Sequence, residues 1–254
     1  VIAATKIMQL LNLDQVSSSS KEKSDLGLVV HDPAHNVRVT RRFSIKSRLG
    51  SPPTLLNASG ATWFKYEVTP LPSSATIGTF NLLPPTELIP RLESTGFQFE
   101  YKQMDERFRD NLELIDGHLE QVVGESLLES YREPGRTTQL VLERVSRRNP
   151  LRLPHSISEK AYFIKYAQFL QNAALGLTPA EPWNGVQTVT GGFVEVQKDG
   201  ALEFFHPENQ QILRNHLLES TKFETPDRTR HKFGALYLAD GGCYMNLSLQ
   251  VRYR

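Results

Sequence analysis

The sequence predicts a mixed α/β (α+β) chain with an early β-hairpin, a helical middle and a C-terminal set of antiparallel β-hairpins. Three observations carry that prediction. Residues 37–47 alternate polar and apolar side chains at period two around Phe43 and Ile45. Residues 84–150 and 158–177 repeat apolar residues at helical spacing. Beyond residue 191, two strand–turn–strand patterns follow one another. A length of 254 residues suits one large domain or two small ones. The expected division is a hairpin-bearing core over 1–75, a helical region over 76–180 and a β-rich region over 181–254, packed as one compact unit.

Composition narrows the function classes. No run of about 18 apolar residues occurs, so no membrane-spanning helix and no membrane partner are expected. Lys and Arg total 29 against 28 Asp and Glu, a net charge of +1. That balance excludes a polybasic binder but leaves room for a local basic groove. The single cysteine, Cys243, excludes an intrachain disulfide and a zinc site built from several thiolates. A reducing, cytoplasmic setting is therefore expected.

Taken in order, residues 1–13 read as a helix through Ile7, Leu10 and Leu11, without the apolar core of a secretion signal. The chain opens Val1-Ile2-Ala3-Ala4, with no initiator methionine, and is expected to lack a natural beginning. Ser17 to Ser20 read as a surface loop. Residues 23–30, a turn at 31–36 and residues 37–47 form a hairpin. A turn centred between Pro33 and Ala34 sets Asp25 opposite Arg42. Period two then sends Phe43 and Ile45 to the core and puts Asp25, Ser44 and Lys46 together on the other face. A one-residue slip would reverse those faces.

In the middle, Pro84-Pro85-Thr86 leads into a helix at 87–92, and residues 104–119 carry Phe108, Leu112 and Ile115 at helical spacing. Residues 122–131 and 138–146 continue the pattern. Ser158 is the expected N-cap of a helix over 158–177, with Gly176 and Pro179 at its end. Residues 192–197 and 201–205 flank the turn Lys198-Asp199-Gly200. Residues 233–238 and 243–253 flank Asp240-Gly241-Gly242, and Met245, Leu247, Leu249, Val251 and Tyr253 fall at every second position of a single long strand.

The hairpin carries the chemistry. An aspartate beside a lysine at the end of a small sheet suits metal-dependent phosphodiester hydrolysis. Asp25 offers a hard oxygen to Mg²⁺ and the backbone carbonyl of Ile45 offers another. Lys46 would orient the attacking water and stabilise charge on the phosphate. By itself, however, such a pair more often marks a solvated hairpin.

The surrounding blocks are more specific. Lys23-Ser24-Asp25, Phe43-Ser44-Ile45-Lys46-Ser47-Arg48-Leu49-Gly50, Pro53-Thr54-Leu55-Leu56-Asn57-Ala58-Ser59 and Ala61-Thr62-Trp63-Phe64 resemble the HpaII-type restriction endonuclease family. The resemblance continues through Ala173-Ala174-Leu175-Gly176-Leu177, Trp183-Asn184-Gly185 and Thr190-Gly191-Gly192-Phe193. It then covers Thr225-Pro226-Asp227-Arg228-Thr229-Arg230-His231-Lys232-Phe233-Gly234 and Asn246-Leu247-Ser248-Leu249-Gln250-Val251-Arg252-Tyr253, with only a loose match over 70–155.

The resemblance implies a Mg²⁺-dependent type II endonuclease of a bacterial restriction-modification system, cutting double-stranded DNA at a short palindrome. CCGG is the site associated with the family. A divergent PD-(D/E)xK nuclease core is implied, with Asp25 as the metal-binding aspartate, Ser44 in the place of the usual second acid and Lys46 as the catalytic lysine. A homodimer suits a two-fold target, and a cognate DNA methyltransferase is the functional partner. Ser44 is a poor Mg²⁺ ligand, so a second carboxylate must come from elsewhere, Glu67 being the fallback. Similar proteins begin with a longer region containing a Gly-Glu-Trp-Ser-Glu-like helix. The alternative reading is accordingly a non-catalytic DNA-binding remnant; a third is a β-rich interaction protein that binds no nucleic acid.

Base reading needs Arg for guanine, Asn or Gln for adenine and acids for cytosine. Arg48 on the loop leaving the active strand, Asn57, and Arg228, Arg230 and His231 beside Asp227 are the expected DNA contacts, with phosphate contact the alternative for each arginine. His31 and His35 flank Pro33, which denies them a shared helix face, and His206 and His216 match no metal spacing. Gly191-Gly192 and Gly241-Gly242 read as turn glycines, Cys243 as an inert thiol, and Trp63 and Trp183 as packing anchors.

Overall fold

The computed structural model describes residues 23–254 apart from 33–34, 207 and 229–232. The helix expected at 1–13, the serine loop, Arg230 and His231 lie outside the described residues. In chain order the elements begin with β1 (Leu26–Asp32), β2 (Val37–Ser47), β3 (Thr54–Leu56) and β4 (Trp63–Thr69). There follow α1 (Ser74–Phe80), α2 (Pro85–Ser94), β5 (Gln98–Met104), α3 (Glu106–Glu113), α4 (Leu119–Arg132), α5 (Thr138–Arg148) and α6 (His155–Leu175). The chain closes with β6 (Gly192–Val196), β7 (Leu202–Phe205), α7 (Gln210–Ser220), β8 (Thr221–Phe223), β9 (Leu236–Ala239), β10 (Gly242–Ser248) and β11 (Val251–Tyr253).

Local chemistry explains most of the boundaries. Pro85 occupies the first turn of α2, where its missing N–H costs nothing. Asp105 caps α3 by accepting from the Phe108 N–H at 3.1 Å, and Thr137 caps α5 through the Leu140 N–H at 3.2 Å. The helix expected to start at Ser158 starts at His155 instead. Pro154 stands at its N-cap and accepts from the Ser158 N–H, which makes Ser158 an interior residue. Gly176 ends it as expected. The helix expected over 104–119 is broken, because Glu113 closes α3 and α4 begins only at Leu119.

Strands fall into three sheets, ordered β1-β2-β6-β7, β5-β4-β10-β9 and β3-β11-β8. β2 and β6 run parallel; the other pairings are antiparallel. β5 lies inside the region read as helical, where the alternation of Phe99 and Tyr101 with Gln98, Glu100 and Lys102 lets it pair with β4. The single strand expected over 243–253 is two. β10 leaves its sheet at Ser248, Leu249 N–H bonds to the Thr62 carbonyl at 2.8 Å, and β11 joins a different sheet. The hairpin turn at Asp240-Gly241 has φ of 51° and 77°, the pair of positive values that a two-residue β9–β10 connection requires.

α6 is the central helix. Tyr162, Tyr166, Phe169 and Leu170 on it are fully buried, and an aromatic chain runs from Phe169 through Phe108 to Phe64 at centroid spacings of 6.2 and 6.3 Å. Each such side chain contributes roughly 1.5–3 kcal/mol of transfer free energy. α6 and the other helices between β4 and β6 belong to the connection that returns the chain from β2 to its parallel neighbour β6, as a parallel pairing requires.

Candidate active site

Register decides which side chains meet. Leu26 pairs with Phe43 and Gly27 with Arg42, so the pairing centre falls between positions 34 and 35. Asp25 is therefore level with Ser44, not with Arg42 as expected from a turn at Pro33, and its N–H bonds to the Phe43 carbonyl at 2.7 Å. Moving the centre by one residue shifts the pairing by two, which preserves the faces. Asp25, Ser44 and Lys46 accordingly share one side of the sheet.

The direction of that side is the reverse of the expectation. Ser44 is fully buried, Phe43 is half-buried against Phe204 with centroids 6.3 Å apart, and Ile45 is exposed. The expectation failed because it sent the apolar set inward by default. Here the inward face is polar, and Asp25 and Ser44 on it bond to one another. One oxygen of Asp25, Oδ2, accepts from the Ile45 N–H at 2.6 Å and the Ser44 hydroxyl at 3.3 Å. The other, Oδ1, accepts no hydrogen bond from the described residues. Lys46 is half-buried, and its ammonium makes neither a hydrogen bond nor an ion pair among the described residues. Lys23 feels both partners while its Nζ donates to the Leu55 carbonyl at 3.2 Å. Burial, then repulsion from Lys46, pull Lys23 down to about 8, against the attraction of Asp25.

The sequence reading missed Glu195. It is the β6 neighbour of Lys46, is fully buried and lies on the same face. Its carboxylate stands 2.7 Å from Arg48 Nε and 2.5 Å from His216 Nε2 on α7. Signal for it existed in the lone acid within Phe193-Val194-Glu195-Val196, since an acid in a strand with apolar neighbours needs a buried partner. Glu195, Glu203 and His216 bring potential ligand atoms within 4.8 Å of one another, but Arg48 already balances the charge there. Arg48 also donates to Gln197 Oε1 at 3.3 Å and the Arg254 carbonyl at 3.4 Å, and lies over the Tyr253 ring. Glu67, the fallback acid, belongs to the β5-β4-β10-β9 sheet and pairs with Lys102 at 2.8 Å.

Asn57 and the loop after β8 come together. A groove of about 530 Å³ is lined by Asn57, Glu224, Thr225, Asp227, Gln250 and Arg252. Arg228 turns away from it and donates to the carbonyls of Leu83 at 2.9 Å and Asn81 at 3.2 Å, pinning the loop to the end of α1. The groove and the face that carries Asp25 and Lys46 share supports. Leu55, which holds Lys23, lies two residues before Asn57, and Arg254, which holds Arg48, lies two after Arg252. A larger groove of about 970 Å³, lined by Trp63, Arg107, Asp110 and Trp183, holds none of these residues. Cys243 is buried, and burial raises its thiol pKa, as an inert thiol requires. No helix among the described residues is long and apolar enough to cross a membrane.

Known proteins give this geometry its context. A model of the HpaII restriction endonuclease family matches residues 2–253. The type II restriction enzyme HpaII of Haemophilus parainfluenzae is 35% identical over 247 residues, covering 97% of this chain and 69% of that protein. No solved structure matches the chain. The match runs through the hairpin, the buried Glu195 strand and the groove alike, and the chain belongs to the HpaII restriction endonuclease family.

Proposed function

We propose that this restriction endonuclease is Mg²⁺-dependent, cuts double-stranded DNA at a short palindrome, CCGG, and works as a homodimer in the bacterial cytoplasm beside a cognate methyltransferase. The observation that carries the catalytic assignment is the presence, on one inward face, of a half-buried Lys46 and of an Asp25 carboxylate one of whose oxygens is fixed by the Ile45 N–H, the Lys46 ammonium and the other Asp25 oxygen making no hydrogen bond among the described residues. The topology supports a PD-(D/E)xK-like core, since an antiparallel hairpin is followed, through helices, by a parallel strand against its second member.

The donor set fits Mg²⁺, which takes hard oxygens, accepts one or two carboxylates and keeps several waters. Asp25 and the Ile45 carbonyl would hold it. When bound, the ion polarises the scissile phosphate and makes its water more acidic. The chain's own residues do the rest. Ser44 and the Ile45 N–H fix one Asp25 oxygen and so aim the other. Lys46 places a positive charge against the phosphate, where it stabilises the negative charge that develops and orients the attacking water. Lys23 adds a second cation near the same point. Asn57 contacts the DNA from the groove, and Arg230 and His231 contact it as well, while Arg48 and Arg228, committed to a buried carboxylate and to backbone carbonyls, position the strand and the chain beside it.

The test uses CCGG-containing duplex with Mg²⁺. The unaltered chain should give discrete fragments; Asp25→Asn and Lys46→Ala should each lower cleavage by about a hundredfold or more while keeping DNA affinity. Unchanged cleavage by Lys46→Ala overturns the catalytic assignment. Binding without fragments from the unaltered chain would favour the DNA-binding remnant.

A further inference from the structure

We infer that Arg252 and Glu224, lining the groove beside β11 and β8, are the element that reads a G·C base pair, with Arg252 donating to guanine and Glu224 accepting from the cytosine amino group. The inference rests on the proposed DNA-cleaving function and names specificity residues for it. Arg252 Nε lies 2.8 Å from Glu224 Oε2, and Gln250 Nε2 donates to the same oxygen at 3.1 Å. Glu224 is thus held from two sides, and Arg252 is anchored through the one nitrogen that guanine recognition does not need. Both Nη groups of Arg252, and Oε1 of Glu224, make no hydrogen bond among the described residues. The two side chains are 30% and 29% exposed, in the wall of the groove.

That arrangement has the form that major-groove reading demands. A guanidinium with its fork free matches the O6 and N7 acceptors of guanine, and a carboxylate accepts from N4 of cytosine. Holding the fork in place before binding removes much of the rotamer entropy that recognition would otherwise cost. Arg48 and Arg228 are committed to the interior by the hydrogen bonds described above, so they are poorer candidates for the same task. The groove is also lined by the exposed Asn57, whose amide makes no hydrogen bond among the described residues.

The test separates base reading from phosphate contact. Cleavage by the unaltered chain is first mapped by sequencing fragment ends. Binding is then measured, with Mg²⁺ chelated, to the mapped site and to duplexes carrying one A·T substitution within it. Arg252→Lys keeps the charge and removes the fork. It should lower affinity for the mapped site by about 10–100-fold, leave affinity for unrelated duplex and its salt dependence unchanged, and so flatten discrimination at one position. Glu224→Gln should relax discrimination at the paired cytosine in the same way. Retained binding to unrelated duplex shows that both variants fold. Undiminished discrimination in Arg252→Lys, an equal loss on all duplexes, or a mapped site without G·C pairs overturns the inference. Failure of the underlying function looks different, because the unaltered chain would then cut nothing.

Discussion

Glu195→Ala tests the buried support of β2, the strand that carries Lys46. The carboxylate is fully buried, with Arg48 Nε at 2.7 Å and His216 Nε2 at 2.5 Å. Removing one member of a buried pair costs about 3–5 kcal/mol, because the other charge is left without compensation. Arg48 is 19% exposed and keeps the Gln197 and Arg254 oxygens, so the low end, about 3 kcal/mol, applies. For a chain of this size that corresponds to a fall in Tm of about 6–12 °C. Thermal and urea unfolding followed by circular dichroism would measure it. Glu195→Leu with Arg48→Met removes both charges and should recover most of the loss, since an apolar pair of similar volume is often neutral at such a site. The reasoning is refuted by a drop under about 2 °C for Glu195→Ala, or by a double variant no more stable than the sum of its two single changes.

Two further perturbations bear on the scaffold. Burial raises the Glu125 pKa above its ordinary 4.5, against Arg148 and Arg132. The folded state then binds the proton more tightly than the unfolded one, so this group's contribution is full below about 4.5 and is lost as pH rises through the raised value. Glu125→Gln should flatten the decline in urea midpoint from pH 4.5 upward, and parallel profiles for the two proteins would contradict the assignment. Gly234 has φ of +75°, and a Cβ there would stand 2.1 Å from Cγ of the buried Pro85. Gly234→Ala should therefore cost about 2–4 kcal/mol by chemical denaturation, combining backbone strain and overpacking; a cost below about 1 kcal/mol would show that the Pro85 contact gives way easily.

Legibility in the sequence followed local determinacy. The Asp240-Gly241 turn, Pro85 at a helix start and Gly176 at a helix end were readable because each is dictated by its own backbone geometry. β5 was readable in principle, since Phe99 and Tyr101 alternate with charges, yet flanking helical periodicity masked it. The parity of the hairpin was readable too, and placed Asp25, Ser44 and Lys46 together. Which way that set faces was not, because hydrophobicity alone sends Phe43 and Ile45 inward. Only the tertiary partner strand β6, some 150 residues later, supplies Glu195 and makes a polar interior tenable. The break of the last strand at Leu249 likewise depends on the distant Thr62 carbonyl.

The arginines show the same dependence in a form that bears on function. Arg48, Arg228 and Arg252 are equivalent by composition, and all three lie within the residues that the family model matches. What stands behind each one separates them. A fully buried carboxylate draws Arg48 inward, since in a low-dielectric interior that pairing outweighs exposure to solvent. Two backbone carbonyls at the end of α1 hold Arg228 and make it a clamp on its loop. Arg252 lines the groove and is held at Nε by a carboxylate that is itself held by Gln250, while its fork makes no hydrogen bond among the described residues. One residue type therefore steadies the strand of Lys46, anchors the loop and lines the groove proposed to read the bases, and the acceptors already present in the fold determine which arginine does which.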